Sequence, residues 1–247
     1  MFPSLTVFFP AYNDAPSLPG LIRKTFETLA GSVRDYEVIV INDGSYDNTG
    51  DVLRSLADTY GPRLRIITHA ANLGYGAALR TGFASATKDF VFYTDGDGQY
   101  DVGELPKLLA QAGPNVGLVN GYKRERHDPL HRIWIGSVYN AFARQLFGIQ
   151  IRDIDCDYRL IRRCLIEDLH LTSTSGTICV ELVRKIELMP YTVVEVAVHH
   201  YPRYHGRSQF FRVRSLLKTF SQLIGLYIQL VLLSSKPKDS RQGIAPV

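Results

Sequence analysis

Short apolar runs alternate along the chain with polar loops and with stretches that carry apolar residues at helical spacing. The runs that predict buried strands cover residues 5–9, 38–41, 64–68 and 90–93. The stretches that predict helices cover residues 18–30, 52–60 and 72–86. Strand, loop and helix repeated at this spacing predict an α/β fold with a mostly parallel, Rossmann-like central sheet flanked by helices.

Polar loops follow the first, second and fourth predicted strands. They carry Asn13 and Asp14, then Asp43, then Asp95 and Asp97. Ligands of open α/β sheets bind beyond the carboxyl ends of the strands, so we expect these side chains to converge there although they are far apart in sequence. Turn and helix-cap roles are the alternative, because loops of any α/β protein are rich in Asn, Asp and Gly.

The fourth predicted strand ends in an acidic turn, Asp95-Gly96-Asp97-Gly98-Gln99. Two carboxylates one residue apart can face one point if the glycine between them turns the chain. Mg2+ and Mn2+ prefer such oxygen ligands, and Mg2+ commonly shares them with substrate phosphates. The sequence therefore predicts a metal and phosphate site at Asp95, Asp97 and Gln99, against the alternative of an ordinary polar turn.

Composition and charge narrow the class of protein. The chain has 247 residues, 45% of them hydrophobic and 21% charged, which is enough for one substantial core and excludes disorder throughout. A net charge of +4 suits phosphorylated ligands or an anionic membrane surface, and is too small to indicate nucleic acid. The three cysteines lack Cys-x-x-Cys spacing and the N-terminus lacks a signal-peptide pattern, so we expect a reducing, cytoplasmic location.

The common nucleotide fingerprints do not occur in the sequence. No G-x-G-x-x-G follows the first predicted strand, and there is no G-x-x-x-x-G-K-[ST]. This argues against Rossmann cofactors and P-loop nucleotides, so the predicted phosphate site requires another nucleotide-binding fold.

Four segments together carry a resemblance to a known family. They are Phe-Pro-Ala-Tyr-Asn-Asp at 9–14, Val-Ile-Asn-Asp-Gly-Ser-Tyr-Asp-Asn-Thr at 40–49, Asn-Leu-Gly-Tyr-Gly-Ala-Ala-Leu-Arg at 72–80 and Thr-Asp-Gly-Asp-Gly-Gln at 94–99. In order and spacing they resemble the family 2 glycosyltransferases of GT-A fold, especially the dolichol- or polyprenol-phosphate mannose synthase group. The resemblance covers roughly residues 4 to 210 and is specific because four loops agree at once.

The resemblance implies a site for a nucleotide diphosphate sugar, in which Asp43 contacts the base and Asp95, Asp97 and Gln99 hold Mg2+ or Mn2+ on the diphosphate. The residues implied to bind the nucleotide sugar are Pro10, Ala11, Tyr12, Asn13, Asp14, Asp43, Gly44, Ser45, Gly76, Asp95 and Gly96.

A second block, residues 151–163, resembles the family's Asp-Thr-x-x-Gly-Phe-Lys-x-x-x-Arg pattern more loosely. Asp153 matches its first Asp, whereas Asp157 replaces the usual Gly, so the roles of Asp155 and Asp157 stay open. The resemblance implies catalytic roles for Asp97, Asp153 and Arg203. It implies acceptor and phosphate binding by Lys123, Arg203, Arg207 and Ser208, with a solvated loop as the alternative at Lys123.

Residues 210–247 follow the predicted catalytic domain, residues 1–209, as a helical tail that is basic at its start and then strongly apolar. The charge-free apolar core of the tail, residues 223–233, is short of the roughly 20 residues that a spanning helix needs. The pattern favours an amphipathic helix at the membrane surface. A core-packing helix, or a contact helix in a homodimer, is the alternative.

These features predict an inverting glycosyltransferase, peripheral on the cytoplasmic face of the membrane. It would move a hexose, mannose or glucose, from a GDP- or UDP-sugar to polyprenyl phosphate. One alternative is transfer to a saccharide hydroxyl with Asp153, Asp155 or Asp157 as general base. Others are a non-catalytic nucleotide-sugar-binding subunit and a nucleotidyltransferase. The sequence lacks Gln-x-x-Arg-Trp, a motif of processive polymerases in this superfamily, which favours transfer of a single sugar.

Overall fold

A seven-stranded sheet with helices on both faces forms the body of the protein, in a computed structural model that describes residues 1–126, 130–202 and 213–233. Its strands are β1 (Phe2–Ala11), β2 (Val33–Asn42), β3 (Leu64–Thr68), β4 (Phe90–Thr94), β5 (Val116–Arg126), β6 (Tyr158–Arg162) and β7 (Thr192–His200). The helices are α1 (Leu18–Ser32), α2 (Thr49–Tyr60), α3 (Tyr75–Ser85), α4 (Leu105–Leu109), α5 (Leu130–Phe147), α6 (Arg163–Leu169), α7 (Thr177–Glu187) and α8 (Val213–Tyr227). Short 3-10 turns lie at Gly61–Arg63 and Val102–Glu104, and wider helical turns at Ile228–Leu233 continue α8.

The strand order is β3-β2-β1-β4-β6-β5-β7. Strands β1 to β4 are parallel, β5 pairs in parallel with β7, and β6 alone is antiparallel to its neighbours β4 and β5. The predicted mostly parallel sheet is therefore confirmed. All four predicted strands are present, and β1 and β2 extend beyond their predicted ends because pairing continues outside the apolar run.

Alternate residues of the central strands pack into two separate cores. In β1, Phe8 points toward α3 and α7, whereas Val7 and Phe9 point toward α1 and α4. Strands covered on both faces read as continuous apolar runs, which is why the sequence pattern located them.

Helix α8 packs against the body of the protein. Leu223 and Leu226 are buried in the same core as α7, and the ring of Tyr227 meets that of Phe147 edge-on at 6.0 Å. The side-chain oxygen of Gln222 accepts hydrogen bonds from the backbone amide of Ser175 (3.1 Å) and its hydroxyl (2.7 Å). The predicted domain boundary at 209 and 210 lies outside the described residues. Within the described ranges, no helix is long and apolar enough to cross a membrane.

Close packing of α3 on the sheet gives a testable prediction. A Cβ on Gly82 would lie 2.4 Å from the ring of Phe8, which is itself stacked on Tyr93. Gly82→Ala should therefore lower the free energy of unfolding by about 1–3 kcal/mol, the usual cost of overpacking a core. Urea titration followed by circular dichroism measures it.

Gly20→Ala is the matched control, because Gly20 lies in α1 with no atom within 4 Å of the added methyl group. That change should leave stability unchanged or raise it by about 0.5–1 kcal/mol. Equal effects at the two positions would contradict the packing described for α3.

Candidate active site

The loops after β1, β2 and β4 are joined by hydrogen bonds at the carboxyl edge of the sheet. The amide of Gly96 donates to the carbonyl of Pro10 (3.1 Å), and the amide of Asp43 donates to the carbonyl of Ala11 (2.9 Å). The hydroxyl of Ser17 donates to the carbonyl of Gly96 (2.7 Å). The three loops predicted to converge therefore do so.

Asn13 links the first loop to the second. Its backbone is left-handed (φ 58°), and its side-chain oxygen accepts from the amide of Tyr46 (3.0 Å). Its own amide donates to the hydroxyl of Ser45 (3.0 Å), while the amide of Tyr12 donates to the carboxylate of Asp14 (2.9 Å). The side-chain nitrogen of Asn13 is buried and has no hydrogen-bond acceptor among the described residues. Asn13 thus has a turn role and also a donor suited to a polar ligand.

Asp43 holds the loop between β3 and α3. Its carboxylate is buried and accepts from the amides of Leu73 and Gly74 (both 2.9 Å) and contacts His69 Nδ1 at 2.6 Å. Gly44 follows with φ +65°, and a side chain there would collide with the backbone of the same loop. The carboxylate oxygens of Asp43 are engaged within the protein, so the base contact implied by the resemblance stays a prediction.

The acidic turn after β4 is held by hydrogen bonds to residues that are distant from it in sequence. The hydroxyl of Tyr75, the first residue of α3, donates to Asp95 Oδ1 (2.9 Å). The amide of Gln99 donates to Asp97 Oδ1 (3.0 Å), and its side-chain nitrogen donates to the carbonyl of Tyr201 (3.1 Å). Asp97 is only 7% exposed. The turn therefore lies between the start of α3 and the segment that follows β7.

Tyr75 is a site residue that the sequence reasoning missed. Burial raises the pKa of its phenol well above the usual value, and the nearby carboxylates of Asp157 and Asp95 add to the shift. The phenol consequently stays protonated and can donate its hydrogen bond to Asp95 at any physiological pH.

Lys123, on β5, lies against the second block. Its amide donates to Asp153 Oδ2 (3.3 Å), and its ammonium group donates to the carbonyl of Asp155 (2.8 Å). Asp153 is buried and also accepts from the amide of Asp155 (3.1 Å). The structure thus places the predicted acceptor residue Lys123 beside the predicted catalytic residue Asp153.

Asp155 has a perturbed acidity. Burial raises its pKa to about 6, with Lys123 opposing the shift and the carboxylates of Asp153 and Asp157 reinforcing it. A carboxyl group with such a pKa exchanges its proton near neutrality, as a general base requires.

Asp157, whose role the sequence left open, forms a buried ion pair with Arg159 on β6 (2.9 Å). Arg159 is fully buried, and its Nε donates to Asn120 Oδ1 on β5 (2.7 Å) while Nη1 donates to the hydroxyl of Tyr93 on β4. The thiol of Cys179 also contacts Asp157 (3.2 Å). This network joins three adjacent strands and α7 beneath the site, so Asp157 has a structural role.

The acidic turn suits a hard divalent cation. Two carboxylates and one side-chain amide of a single turn, Asp95, Asp97 and Gln99, are the oxygen donors that Mg2+ and Mn2+ prefer. Within residues 1–126, 130–202 and 213–233, no group of three His, Cys, Asp or Glu side chains forms a metal cluster. Metal binding by Asp95 and Asp97, with Gln99 as the third oxygen donor, stays a prediction. Arg203, Arg207 and Ser208 lie outside the described residues.

The chain belongs to glycosyl transferase family 2, whose family model matches residues 6–169. This confirms the predicted family. The chain is similar to the undecaprenyl-phosphate 4-deoxy-4-formamido-L-arabinose transferases of Pseudomonas fluorescens and Pseudomonas aeruginosa, with 28% identity to each. The alignments cover 89% and 86% of this chain, and 63% and 62% of those proteins. The chain therefore spans less than two thirds of the length of these curated relatives.

Two solved structures share the fold. Glucosyl-3-phosphoglycerate synthase of Mycobacterium tuberculosis, solved with Mn2+, UDP and glucosyl-3-phosphoglycerate, has a TM-score of 0.66 at 18% identity, covering 92% of this chain and 79% of that one. A mannosyltransferase of Pyrobaculum calidifontis, solved with GDP-mannose and Mn2+, has a TM-score of 0.58 at 22% identity, covering 90% and 64%. The predicted GT-A fold is confirmed.

The Tyr75 hydrogen bond gives a prediction about the acidic turn. Tyr75→Phe removes the donor that orients Asp95 and should weaken Mn2+ binding about tenfold, as loss of an outer-shell partner commonly does. Electron paramagnetic resonance of free Mn2+ measures the affinity directly. Tyr60→Phe, at the end of α2 far from this turn, is the control, and equal Mn2+ affinity in all three proteins would contradict a positioning role.

The raised pKa of Asp155 predicts how stability depends on pH. Its proton is held more tightly in the folded than in the unfolded state, so its contribution is complete below about pH 4 and is lost as pH rises through about 6. Asp155→Asn should therefore gain stability relative to the wild type on going from about pH 4.5 to about pH 7.5, by at most about 3 kcal/mol. Urea unfolding at both pH values measures it, with the exposed Asp58→Asn as the charge control. A difference that does not change with pH would contradict the assignment.

Proposed function

We propose that this chain transfers a hexose from a GDP- or UDP-sugar to a polyprenyl phosphate, with inversion at the anomeric carbon. The observation that carries the proposal is the convergence of the loops after β1, β2 and β4 on the acidic turn, with Lys123 and Asp153 as a second polar group at the same edge of the sheet. Membership of the family supports the reaction class.

The donor binds across the first two loops. Residues 10–14 and 43–45 are joined by hydrogen bonds, and the buried side-chain nitrogen of Asn13, which has no acceptor among the described residues, supplies a hydrogen bond to the nucleotide. Tyr12 and Tyr46, whose rings meet edge-on at 6.0 Å, offer aromatic surface beside it. These contacts bind the nucleotide and orient the sugar toward the acidic turn.

Asp95, Asp97 and Gln99 hold the divalent cation, which neutralises charge on the departing diphosphate when it is bound. Tyr75 keeps Asp95 in one orientation through its 2.9 Å hydrogen bond, and the amide of Gln99 does the same for Asp97. Such preorganisation supplies electrostatic stabilisation without rearrangement during the reaction.

A phosphate acceptor suits the chemistry of the second polar group. A monophosphate is already anionic near neutral pH, so it requires a positioned cation such as Lys123 more than a base. Arg203, Arg207 and Ser208 are further proposed phosphate ligands. The two relatives whose alignments cover 89% and 86% of this chain have undecaprenyl phosphate in their names.

The identity of the sugar is a further part of the proposal. The relatives' names specify a 4-deoxy-4-formamido-L-arabinose, which is a pentose derivative, whereas the structural neighbours were solved with UDP and a glucosyl compound or with GDP-mannose. We assign a hexose on the resemblance to the mannose synthase group. An acceptor with a polyprenyl chain requires the enzyme to work at a membrane surface. The proposal is that this is the cytoplasmic face, with the helical tail as a contact.

The pKa of Asp155 favours one alternative acceptor. A saccharide hydroxyl must lose its proton during transfer, and Asp155, with its pKa of about 6, is the carboxylate best suited to accept it. Incubating the protein with labelled donor and either polyprenyl phosphate or free saccharides separates the two functions. Product in the lipid phase supports the first, and labelled saccharide alone would replace it with the second.

Asp97 gives the sharpest test of the donor side. Asp97→Asn keeps the acceptor for the Gln99 amide but removes the charge, and it should lower kcat at least about a hundredfold, as loss of a preorganised electrostatic contact does. Transfer is measured with saturating donor and Mn2+, and circular dichroism checks folding. Asp58→Asn, on the exposed side of α2, should keep full activity. Full activity of a folded Asp97→Asn protein would contradict the proposal that Asp97 binds the divalent cation.

A further inference from the structure

Helix α5 turns large apolar side chains toward solvent. Trp134 is 71% exposed, Val138 51% and Phe142 50%, and Ile135 is exposed as well. These positions are spaced i, i+1, i+4 and i+8, so they lie on one face of the helix. The opposite face is also apolar, because Ala143 and Phe147 are buried in the core beside α7.

Over residues 133–147, the part of α5 whose side chains the structure describes, the outward face has none of the charges that a solvent-facing helix usually carries. Among its described side chains, residues 133–147, the other exposed ones are Ser137, Ala141 and Gln145. A helix that is apolar on both faces is normally covered on both. A contiguous exposed apolar surface of this kind marks an interaction site.

Helix α8 adds a second apolar face next to the first. Phe220, Ile224 and Ile228 are 59%, 48% and 44% exposed at i, i+4 and i+8, and the helix contacts α5 through Tyr227 and Phe147. We call these exposed residues of the two helices, Trp134, Ile135, Val138, Phe142, Phe220, Ile224 and Ile228, the α5/α8 surface.

The charge of the surrounding sequence distinguishes between possible partners. Residues 130–152 contain three Arg and no Asp or Glu, and residues 213–233 contain one Arg, one Lys and no Asp or Glu. Two copies meeting through this surface would bring like charges together. An anionic lipid surface, in contrast, attracts basic segments while apolar side chains enter the boundary between head groups and acyl chains.

Asn140 connects α5 to the candidate acceptor site. Its side-chain nitrogen donates to the carbonyl of Arg152, and its side-chain oxygen accepts from the amide of Ile154 (3.0 Å). Asp153 lies between these two residues. The helix that carries the exposed apolar face therefore also holds the loop that carries the acceptor-side carboxylate.

From these observations we infer that the α5/α8 surface rests on an anionic lipid bilayer, with Trp134 and Phe142 entering the boundary between head groups and acyl chains. The inference deepens the proposed function, on which it rests, by adding a docking helix, α5, that brings the Asp153 loop to the lipid. The docking surface extends beyond the helical tail and includes a helix inserted between β5 and β6.

Trp134 is the only tryptophan of the chain and reports on its own surroundings. Titrating the full chain with vesicles of phosphatidylglycerol and phosphatidylcholine should shift Trp134 emission to shorter wavelength, and lipids brominated in the acyl chain should quench it. Unchanged emission from a folded protein with saturating vesicles would overturn the inference. An emission shift that depends on protein concentration without vesicles would also overturn it, because a second copy would then cover the surface.

Substitutions that leave Trp134 in place test the same surface by sedimentation instead of fluorescence. Val138→Ser with Phe142→Ser should weaken sedimentation with vesicles by about tenfold or more, since each change removes an exposed apolar side chain that would enter the bilayer. Leu188→Ser is the matched control, because Leu188 is 58% exposed at the end of α7. Equal loss of binding in both variants would contradict a specific surface.

Two measurements distinguish an error in the inferred docking surface from an error in the proposed function: sugar transfer to soluble and to vesicle-embedded acceptors, and quenching of Trp134. Transfer to a short, water-soluble isoprenyl phosphate needs no bilayer, so the Val138 and Phe142 variant should retain it while losing activity on vesicle-embedded acceptor. Equal loss on both acceptors would overturn the inference. If the wild type transferred to neither acceptor yet its tryptophan were still quenched by brominated lipid, the proposed function would fail and the docking surface would stand.

Discussion

The position of β1 between β2 and β4 determines where the polar loops of this protein lie. Parallel pairing brings the carboxyl ends of the three strands to one edge, and backbone hydrogen bonds from Gly96 to Pro10 and from Asp43 to Ala11 hold the loops together there. The strands are apolar and are covered on both faces by two cores, which hold them in this order. The donor side of the site is thus a consequence of strand order.

The proposed acceptor side depends on a different interaction, the ion pair of Asp157 and the buried Arg159. Removing two charges from water is costly, and the remaining hydrogen bonds of Arg159 to Asn120, Tyr93 and Ile154 offset that cost. Through these bonds the guanidinium group connects β4, β5 and β6 close to the acidic turn and the Asp153 loop. The two halves of the site meet at Tyr75, whose hydroxyl contacts Asp95 and whose pKa also responds to Asp157.

The sequence was sufficient for β1 to β4 and for the loops that follow β1, β2 and β4, because apolar periodicity and turn chemistry are local signals. It did not locate the antiparallel strand β6, whose register depends on distant partners in β4 and β5. Nor did it identify Tyr75 as the partner of Asp95, since nothing local relates an aromatic residue at the start of α3 to a turn twenty residues later. The apolar residues of α5 show the same limit, because periodicity cannot distinguish a covered face from an exposed one.

Calorimetric titration of the protein with GDP-mannose, UDP-glucose and UDP-N-acetylglucosamine, first with Mn2+ and then with a chelator, tests the central claim most directly. The convergence of the three loops on the acidic turn predicts that one donor binds with Mn2+ and that chelation abolishes or greatly weakens its binding. Binding of none of these donors by a folded protein, or binding of one with equal affinity in chelator, would contradict the account.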